Sequence, residues 1–380
     1  MFFRIILGVF IFLSMAVSSS YANKIIYYAG FGNVYGDNNQ PFFNKIFGIK
    51  ANKNIQEDIN AKLIDKIKKL KFKFPSSIII DPIKIDENQI GKQNIFALVL
   101  ISNFEIEPYT NIETQFGSLY LYNFITGITA LLIEPQTGYI HLSSTSLGYK
   151  EFQKKNPITK AERNNFFTDT YIKTAINALD RLEKQSFHTD LFEWDMVTEV
   201  TIESKRVKKL FNINEDCNNK CLVLKKMLAQ GISDSLQERG NNMLPSFLVR
   251  SWGETVLSQG KIIIQIKSEG RKREELLKVN VSPKSAYRKL TVSLTGFSEK
   301  NISKNKKISK WGFLSWIKVD WHSENFKGNI VSQGTYGEQY SKQPVILKAL
   351  STNQSVLNDD SRYFHYLAAI KNTIEEFKRQ

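Results

Sequence analysis

Catalytic residue pairs are few in this sequence, and two of them have a spacing that could support hydrolysis. A single residue separates Asp320 from His322, and a single residue separates Glu105 from Glu107, so each pair would share one face of a strand. The first pair could activate a distant serine, and the second could cleave a glycosidic bond. Neither a Gly-x-Ser-x-Gly nor a His-Glu-x-x-His motif is present. We predict that the protein is not an enzyme, and we keep a hydrolase as the third of three functional hypotheses.

The histidines are the other candidates for acid–base chemistry, and they are His141, His188, His322 and His365. His141 falls in a predicted hairpin strand, and His365 lies on the apolar side of the last predicted helix. A partly buried, hydrogen-bonded histidine is the ordinary explanation for both. These residues therefore do not predict a catalytic site.

A glycine-rich loop follows the first predicted strand and could be mistaken for a dinucleotide-binding loop. Its glycines Gly30, Gly32 and Gly36 lack the Gly-x-Gly-x-x-Gly spacing. Residues 37–41 continue as loop where a helix should begin to direct its amides at a phosphate. The sequence therefore predicts no nucleotide, and we expect no other cofactor and no metal.

Two cysteines, Cys217 and Cys221, are present, and their spacing suits a disulfide. Four residues apart on a helix, they would lie on one face, within the Cα separation that a disulfide bridges. A zinc site usually needs four ligands, and no histidine or second cysteine pair accompanies these two. We predict a structural disulfide.

The segment from Lys300 to Trp321 combines lysines with aromatic residues. Lysines can pair with anionic headgroups while tryptophan and phenylalanine settle at a membrane interface. The same pattern suits a solvated lysine loop that leads into a strand with core tryptophans, so both interpretations stay open. The candidate interaction residues are Lys304, Lys306, Lys307, Lys310, Trp311, Phe313 and Trp316.

The amino terminus predicts export. An apolar run over residues 5–17 ends at Ser18-Ser19-Ser20-Tyr21-Ala22, which has the small-x-small form of a signal-peptidase site. We predict a signal peptide over residues 1–22 that is cleaved after Ala22, and an uncleaved anchor is the alternative. The expected location is the periplasm or the cell exterior, with the protein soluble or peripherally attached to the envelope.

The charge of this 380-residue chain is strongly positive, with a formal net value of +15. In an envelope, that charge favours acidic lipid, lipopolysaccharide or wall polymers as partners over nucleic acid. The lysines are spread along the chain, which also suits the composition of an AT-rich genome. Charge alone therefore does not identify a ligand.

Hydrophobic periodicity divides the chain into two similar halves. The first half predicts a strand near residues 24–29, an amphipathic helix over 54–71, strands over 78–80, 96–104, 119–124, 129–133 and 139–144, and a helix over 169–182. The second half predicts strands and helices in a similar order, ending with a helix over 363–377. We predict an α/β (α+β) fold of two tandem sandwiches, with helices on mixed, mainly antiparallel sheets. The predicted domains are residues 23–185 and 195–380, the second possibly a diverged duplicate of the first.

Four segments of the first half form a pattern: the opening strand and Gly/Asp loop at 25–37, the strand at 78–81, the central strand at 96–104 and the Thr-Gly hairpin at 131–140. In these segments the first half resembles the TolB amino-terminal and CsgG-like periplasmic domains. Here a proline follows the acidic residue of the hairpin, and no lipid-anchoring cysteine is present. The resemblance implies an envelope adaptor, a secretion component or a regulator of wall synthases, generally without catalysis of its own.

These observations lead to one functional prediction and two alternatives. We expect a non-enzymatic periplasmic adaptor or accessory protein that acts in envelope assembly or secretion by binding another protein. The first alternative is a peripheral binder of anionic lipid or envelope polysaccharide, and the second is the envelope hydrolase. The sequence does not specify the partner or the oligomeric state.

Overall fold

The computed structural model describes most of the chain after the predicted signal peptide. The described residues are 23–33, 53–80, 85–86, 95–114, 117–135, 137–187, 194–211, 213, 219–246, 255–266, 271–279, 286–302, 309–340, 345–349 and 359–379. The predicted signal peptide lies wholly outside these ranges, and so do residues 188–193 of the predicted domain boundary near residues 184–195. Both stay predictions.

Strands and helices follow one another in the order that periodicity indicates. The strands are β1 (Lys24–Asn33), β2 (Ser76–Ile79), β3 (Ile85–Asp86), β4 (Ile95–Ile106), β5 (Tyr109–Thr114), β6 (Gly117–Ile133), β7 (Ile140–Lys154), β8 (Trp194–Ile202), β9 (Asn242–Met243), β10 (Thr255–Ile266), β11 (Arg271–Val279), β12 (Arg288–Asn301), β13 (Ser309–Glu324), β14 (Ile330–Tyr340) and β15 (Val345–Ala349). The helices are α1 (Lys53–Ile67), α2 (Lys160–Leu182), α3 (Lys205–Leu210), α4 (Asn219–Glu238) and α5 (Asp359–Lys378).

The first sheet is built from strands of the first half. It runs β2-β1-β4-β6. Strand β5 pairs with β6 along the same edge as β4, and β7 pairs with the opposite edge of β6. Strand β1 is parallel to β2 and β4, whereas β6 is antiparallel to its neighbours β4 and β7. The parallel pairs need a crossover, and α1 supplies it between β1 and β2.

The second sheet repeats this topology. It runs β9-β8-β12-β13-β14, with β8 parallel to β9 and β12, and with β12, β13 and β14 antiparallel. Helix α4 connects β8 to β9 as α1 connects β1 to β2, and α5 follows the last strands as α2 does. The shared order of strands and helices supports the hypothesis that the halves arose by duplication. A small third sheet, β11-β10-β3, lies beside β1.

The layers stack so that the helices of the second half lie between the two sheets. Helices α1 and α2 cover one face of the first sheet. Helix α4 contacts β7 and β4 of the first sheet as well as β8 of the second, and α5 contacts β5 and β13. One core cluster therefore contains residues of both halves, including Phe104, Ile125, Leu228, Val292 and Ile317.

The predicted α/β class, with helices packed on mixed, mainly antiparallel sheets, is confirmed. Two local predictions differ from the structure. Helix α2 begins at Lys160 rather than near Asp169, because Thr159 and Glu162 form a capping box at its start. Strand β6 is continuous over Gly117–Ile133 rather than split near Gly127, where a Cβ atom would meet the Phe104 ring at 2.5 Å. This glycine permits close packing and does not end the strand.

Candidate binding surfaces

The lysine and tryptophan segment singled out from the sequence is divided between two faces of β13. Phe313 is fully buried, and its ring stacks on His365 with the centroids 5.1 Å apart. Trp311, two residues earlier, packs against the same core cluster. Because alternate residues of a strand share a face, both side chains serve the core. The expectation that Phe313 meets a partner is therefore corrected.

Trp316 lies on the opposite face of β13. Its ring stacks on Tyr340 at 6.3 Å and packs over Gly296, where a Cβ atom would come within 3.1 Å of the indole. Lys310 belongs to β13, and nothing is described of its side chain. The remaining candidates, Lys304, Lys306 and Lys307, lie outside the described residues.

The outer face of the second sheet, which carries Trp316, is polar and open to solvent. Lys318 pairs with Asp320 at 2.9 Å, and Lys289 pairs with Glu324 at 2.6 Å. The hydrogen bond from Lys289 is the main reason that the pKa of Glu324 is lowered. Charges of both signs thus cover this face in neutralised pairs.

The hairpin that joins β13 to β14 exposes a cluster of apolar residues at its turn. Phe326 is 95% exposed, Ile330 58% and Val331 59%. We call these three residues the tip cluster. The turn itself is ordered, because the Asn325 side-chain oxygen accepts hydrogen bonds from the backbone N–H groups of Lys327 and Asn329 at 2.9 and 3.1 Å. Gly328 supplies the positive φ, 82°, that closes the turn.

The outer edges of the two last strands, β7 and β14, differ in what covers them. Strand β7 pairs with β6 on one side, and long side chains from α2 and α4 cover its other side. Gln237 donates to the Ser143 carbonyl at 2.8 Å and accepts from the Thr145 N–H at 2.7 Å, and Arg181 donates to the Thr145 carbonyl at 2.8 Å. Strand β14, in contrast, has no further strand beside it within the described residues.

A buried carboxylate fastens β14 to the rest of the second half. Asp195 is fully buried and accepts two hydrogen bonds from Arg288, at 2.6 and 2.8 Å. It also accepts from Asn241 at 3.0 Å and from Tyr336 of β14 at 3.1 Å. Burial, and then the Asp195 charge, raise the pKa of Tyr336 to about 12. Since Tyr336 remains protonated at neutral pH, it donates to Asp195 continuously.

A polar cleft of about 540 Å³ opens between the two halves. It is formed by the segment after α1, the end of α2, the end of α4 and the start of β9. Lys73, Arg181 and Lys184 contribute positive charge, and Glu238 contributes negative charge. No local sequence pattern indicates this cleft, because its residues come from four separate parts of the chain.

The residue pairs considered for catalysis are engaged with other partners. His322 contacts Glu324 at 3.1 Å rather than Asp320, which pairs with Lys318 and accepts from Thr335. The buried Glu105 accepts from Tyr171 at 2.6 Å, whereas Glu107 pairs with Arg163. In the described ranges, no three His, Cys, Asp or Glu side chains gather as metal ligands.

The predicted disulfide involves one described residue. Cys221 lies fully buried near the start of α4, and Cys217 is outside the described residues. The disulfide therefore stays a prediction. Among the helices that the structure describes, none is long and apolar enough to cross a membrane.

Comparison with known proteins identifies no family. No protein-family model matches the sequence, and no curated protein gives a significant match. Among solved structures, a neuraminyllactose-binding hemagglutinin homolog from Helicobacter pylori is similar at 13% identity and a TM-score of 0.29, covering 43% of this chain and 90% of that one. A PelC dodecamer from Paraburkholderia phytofirmans is similar at 11% identity and a TM-score of 0.22, covering 44% and 92%. Likenesses this weak carry no argument about function, and the TolB and CsgG-like resemblance stays a prediction.

Proposed function

We propose that this protein is a non-enzymatic periplasmic adaptor or accessory protein that acts in envelope assembly or secretion by binding another protein. The observation that carries the proposal is the tip cluster of Phe326, Ile330 and Val331. An ordered turn presents these apolar side chains to solvent, although their exposure is unfavourable in the isolated chain. Exposed apolar groups surrounded by polar residues are typical of protein interfaces.

The charges near the tip cluster favour a protein partner over an acidic membrane. Membrane attachment of this kind uses clusters of four to eight lysines and arginines, each contributing about 1 kcal/mol. Beside the tip cluster, Lys289 is neutralised by Glu324, and farther along β13 Lys318 is neutralised by Asp320. Lys327, in the turn itself, has no ion-pair partner among the described residues, and its ammonium lies 5.7 Å from the centre of the Phe326 ring. One such cation is far fewer than a membrane-binding cluster contains, and mixed, mostly paired charges around apolar residues suit the rim of a protein interface.

The partner must contact more than the hairpin turn. A stable interface covers about 800 Å² on each protein, which exceeds the area of three side chains. The outer face of the second sheet supplies the additional area, and Trp316 and the 46%-exposed Tyr340 are stacked on it. Tryptophan and tyrosine are enriched among the residues that dominate binding energy. We expect the partner to extend from the tip cluster along this face.

In-cell photo-crosslinking tests this proposal. A photoreactive residue at position 326 should give a discrete adduct with one protein, whereas the same residue at position 109 should not. Tyr109 is the matched control because it is an aromatic residue of the first sheet with 61% exposure. The Phe326→Ser variant should lose the partner in a pull-down and keep the unfolding midpoint of the parent protein.

Two results would contradict the adaptor proposal. One is the same adduct pattern from positions 326 and 109. The other is salt-sensitive binding of the purified protein to vesicles containing phosphatidylglycerol, lost in both Phe326→Ser and Trp316→Ala. That second result would favour the anionic-surface alternative.

A further inference from the structure

The cleft between the two halves has a rigid floor whose charges are already neutralised. Arg181 is held there by ion pairs with Asp234 and Glu238 and by its hydrogen bond to the Thr145 carbonyl. Lys378 also pairs with Asp234, at 2.9 Å. Arg181 therefore has a fixed position and a compensated charge, so it supports the cleft without providing a free cation.

Two other lysines at the cleft have no ion-pair partner among the described residues. Lys73 comes from the segment after α1, and Lys184 follows the end of α2. Neither side chain forms an ion pair within the part of the chain that the structure describes. Two cations that converge on one cleft from separate elements would each gain a charge-assisted hydrogen bond from an anionic ligand.

Uncharged polar side chains complete the cleft lining. The Gln185 side-chain nitrogen donates to the Ser143 carbonyl at 2.8 Å, which fixes the amide. Its side-chain oxygen is buried, so a ligand in the cleft does not reach it. Ser186 and Asn242 supply a hydroxyl and an amide to the lining, and both groups can form hydrogen bonds with ligand hydroxyls.

These features together define the class of ligand. The lining side chains are polar or charged and include no aromatic ring, which favours a polar ligand over an acyl chain or a stacked base. The volume of about 540 Å³ falls within the range of small-ligand sites and far exceeds that of a simple anion. We propose that the cleft binds a small acidic saccharide, with its carboxylate between Lys73 and Lys184 and its hydroxyls toward Ser186 and Asn242.

Isothermal titration calorimetry of the purified protein with digalacturonate tests this proposal. We expect saturable binding that weakens about tenfold for each cleft lysine removed, since a charge-assisted contact is lost in each case. The double variant Lys73→Ala, Lys184→Ala should therefore bind about a hundredfold more weakly. The conservative variant Lys73→Arg, Lys184→Arg retains both charges and should bind measurably.

A matched double variant controls for net charge and folding. Lys155→Ala with Lys160→Ala removes two exposed lysines at the opposite end of α2, and it should bind digalacturonate as the parent does. All variants should share one unfolding midpoint. The proposal is overturned by absence of digalacturonate binding, by equal losses in the two alanine pairs, or by equal affinity for neutral digalactose or inorganic phosphate.

Discussion

The first and second sheets share a topology but differ in how much of each is covered. In the first sheet, ten consecutive residues of β4 are buried, because α1 and α2 cover one face and α4 together with the start of β8 covers the other. In the second sheet, the described helices cover one face only, and most residues of β14 are exposed. The same strand order therefore produces a sheet whose central strand is covered on both faces in one half and a half-open sheet in the other.

This difference indicates that the two similar halves have different roles. The first sheet lies between two helix layers, and one of these layers belongs to the second half. The second sheet has its outer face, its last edge and its apolar hairpin turn available for contact. Residues that bind a protein partner are therefore expected on the second half, and residues that support them on the first. Three predictions test whether this separation holds.

The largest expected effect concerns Leu228, a fully buried residue of α4 in the core cluster that joins the sheets. Leu228→Ala should lower the free energy of unfolding by about 2–5 kcal/mol, since it removes buried methyl groups and leaves a cavity. Urea titration followed by circular dichroism and by fluorescence measures the loss. All five tryptophans follow residue 193, so fluorescence reports on the second half.

Both signals should show one shared transition for this variant, because the halves depend on the same helix layer. The partly exposed Leu222 in the same helix is the control, and Leu222→Ala should have a clearly smaller effect. Separate transitions for the two signals would show that the halves are energetically independent, and the comparison of an enclosed with an open sheet would then lose its basis.

An intermediate effect is expected where α4 covers the edge of β7. Gln237→Leu removes the acceptor for the Thr145 N–H and a donor to the Ser143 carbonyl. Leaving these buried groups poorly satisfied should cost about 2 kcal/mol and should promote self-association through the uncovered edge. Urea denaturation and light scattering measure the two effects.

The control for the covered edge lies on the exposed one. Gln333→Leu adds an apolar residue to β14 at a position open to solvent. It should leave the free energy of unfolding within about 0.5 kcal/mol of the parent. Equal destabilisation by the two substitutions would contradict the assignment of Gln237 as a protecting residue.

The last expected effect is of similar size but occurs only at acidic pH, and it concerns His365 of α5. Burial lowers the pKa of this histidine to about 4, below its unfolded value of 6.5. The unfolded chain therefore binds more protons between these values, and stability falls as the pH decreases through that window. At pH 5, the parent should lose about 2 kcal/mol through this group relative to neutral pH.

Urea denaturation at pH 7.5 and 5.0 measures this contribution. His365→Leu removes the titrating group and should reduce the difference between the two pH values. His322→Gln, on the outer face, keeps the buried histidine and should retain the difference. An unchanged pH dependence in His365→Leu would show that the ring is hydrated or paired in the folded protein.

The parts of the fold that sequence predicts best depend on local patterns. Helix α1 occupies nearly the range that its apolar periodicity indicates, because one stripe of residues faces the first sheet. The hairpin between β6 and β7 forms where the Pro and Gly residues predict it. Gly138 there has a φ of 72°, a conformation that glycine adopts readily.

Other parts required information that is not local. Gly127 resembles a strand end in the sequence, yet it lies within β6 because the Phe104 ring needs the space. Strand β14 was not predicted, since its exposed residues lack the alternation of a half-buried strand. Asn325 and Gly328 are residues typical of a hairpin turn, so the sequence contained a signal for this hairpin and for the tip cluster that it exposes.

The two candidate binding surfaces also differ in how far the sequence predicts them. Charge and aromatic content drew attention to β13, but burial decides which of its rings face outward, and the sequence left that choice open. The cleft could not be predicted, because Lys73, Lys184 and Asn242 are brought together only by the contact between the halves. Long-range packing therefore determines which polar residues become neighbours.

The placement of the second half's helices against the first sheet has a consequence for the time course of folding. Asn103 donates to Gln230, 127 residues later, and Thr110 bonds with Ser361, 251 residues later. Closing loops of this length slows folding, since chain entropy is lost before these contacts form. The first half cannot bury its inner face until β8 and α4 of the second half have been synthesised. A nascent chain should thus stay incompletely folded until these elements have emerged, and an incompletely folded chain is the form that passage across a membrane as an extended polypeptide demands.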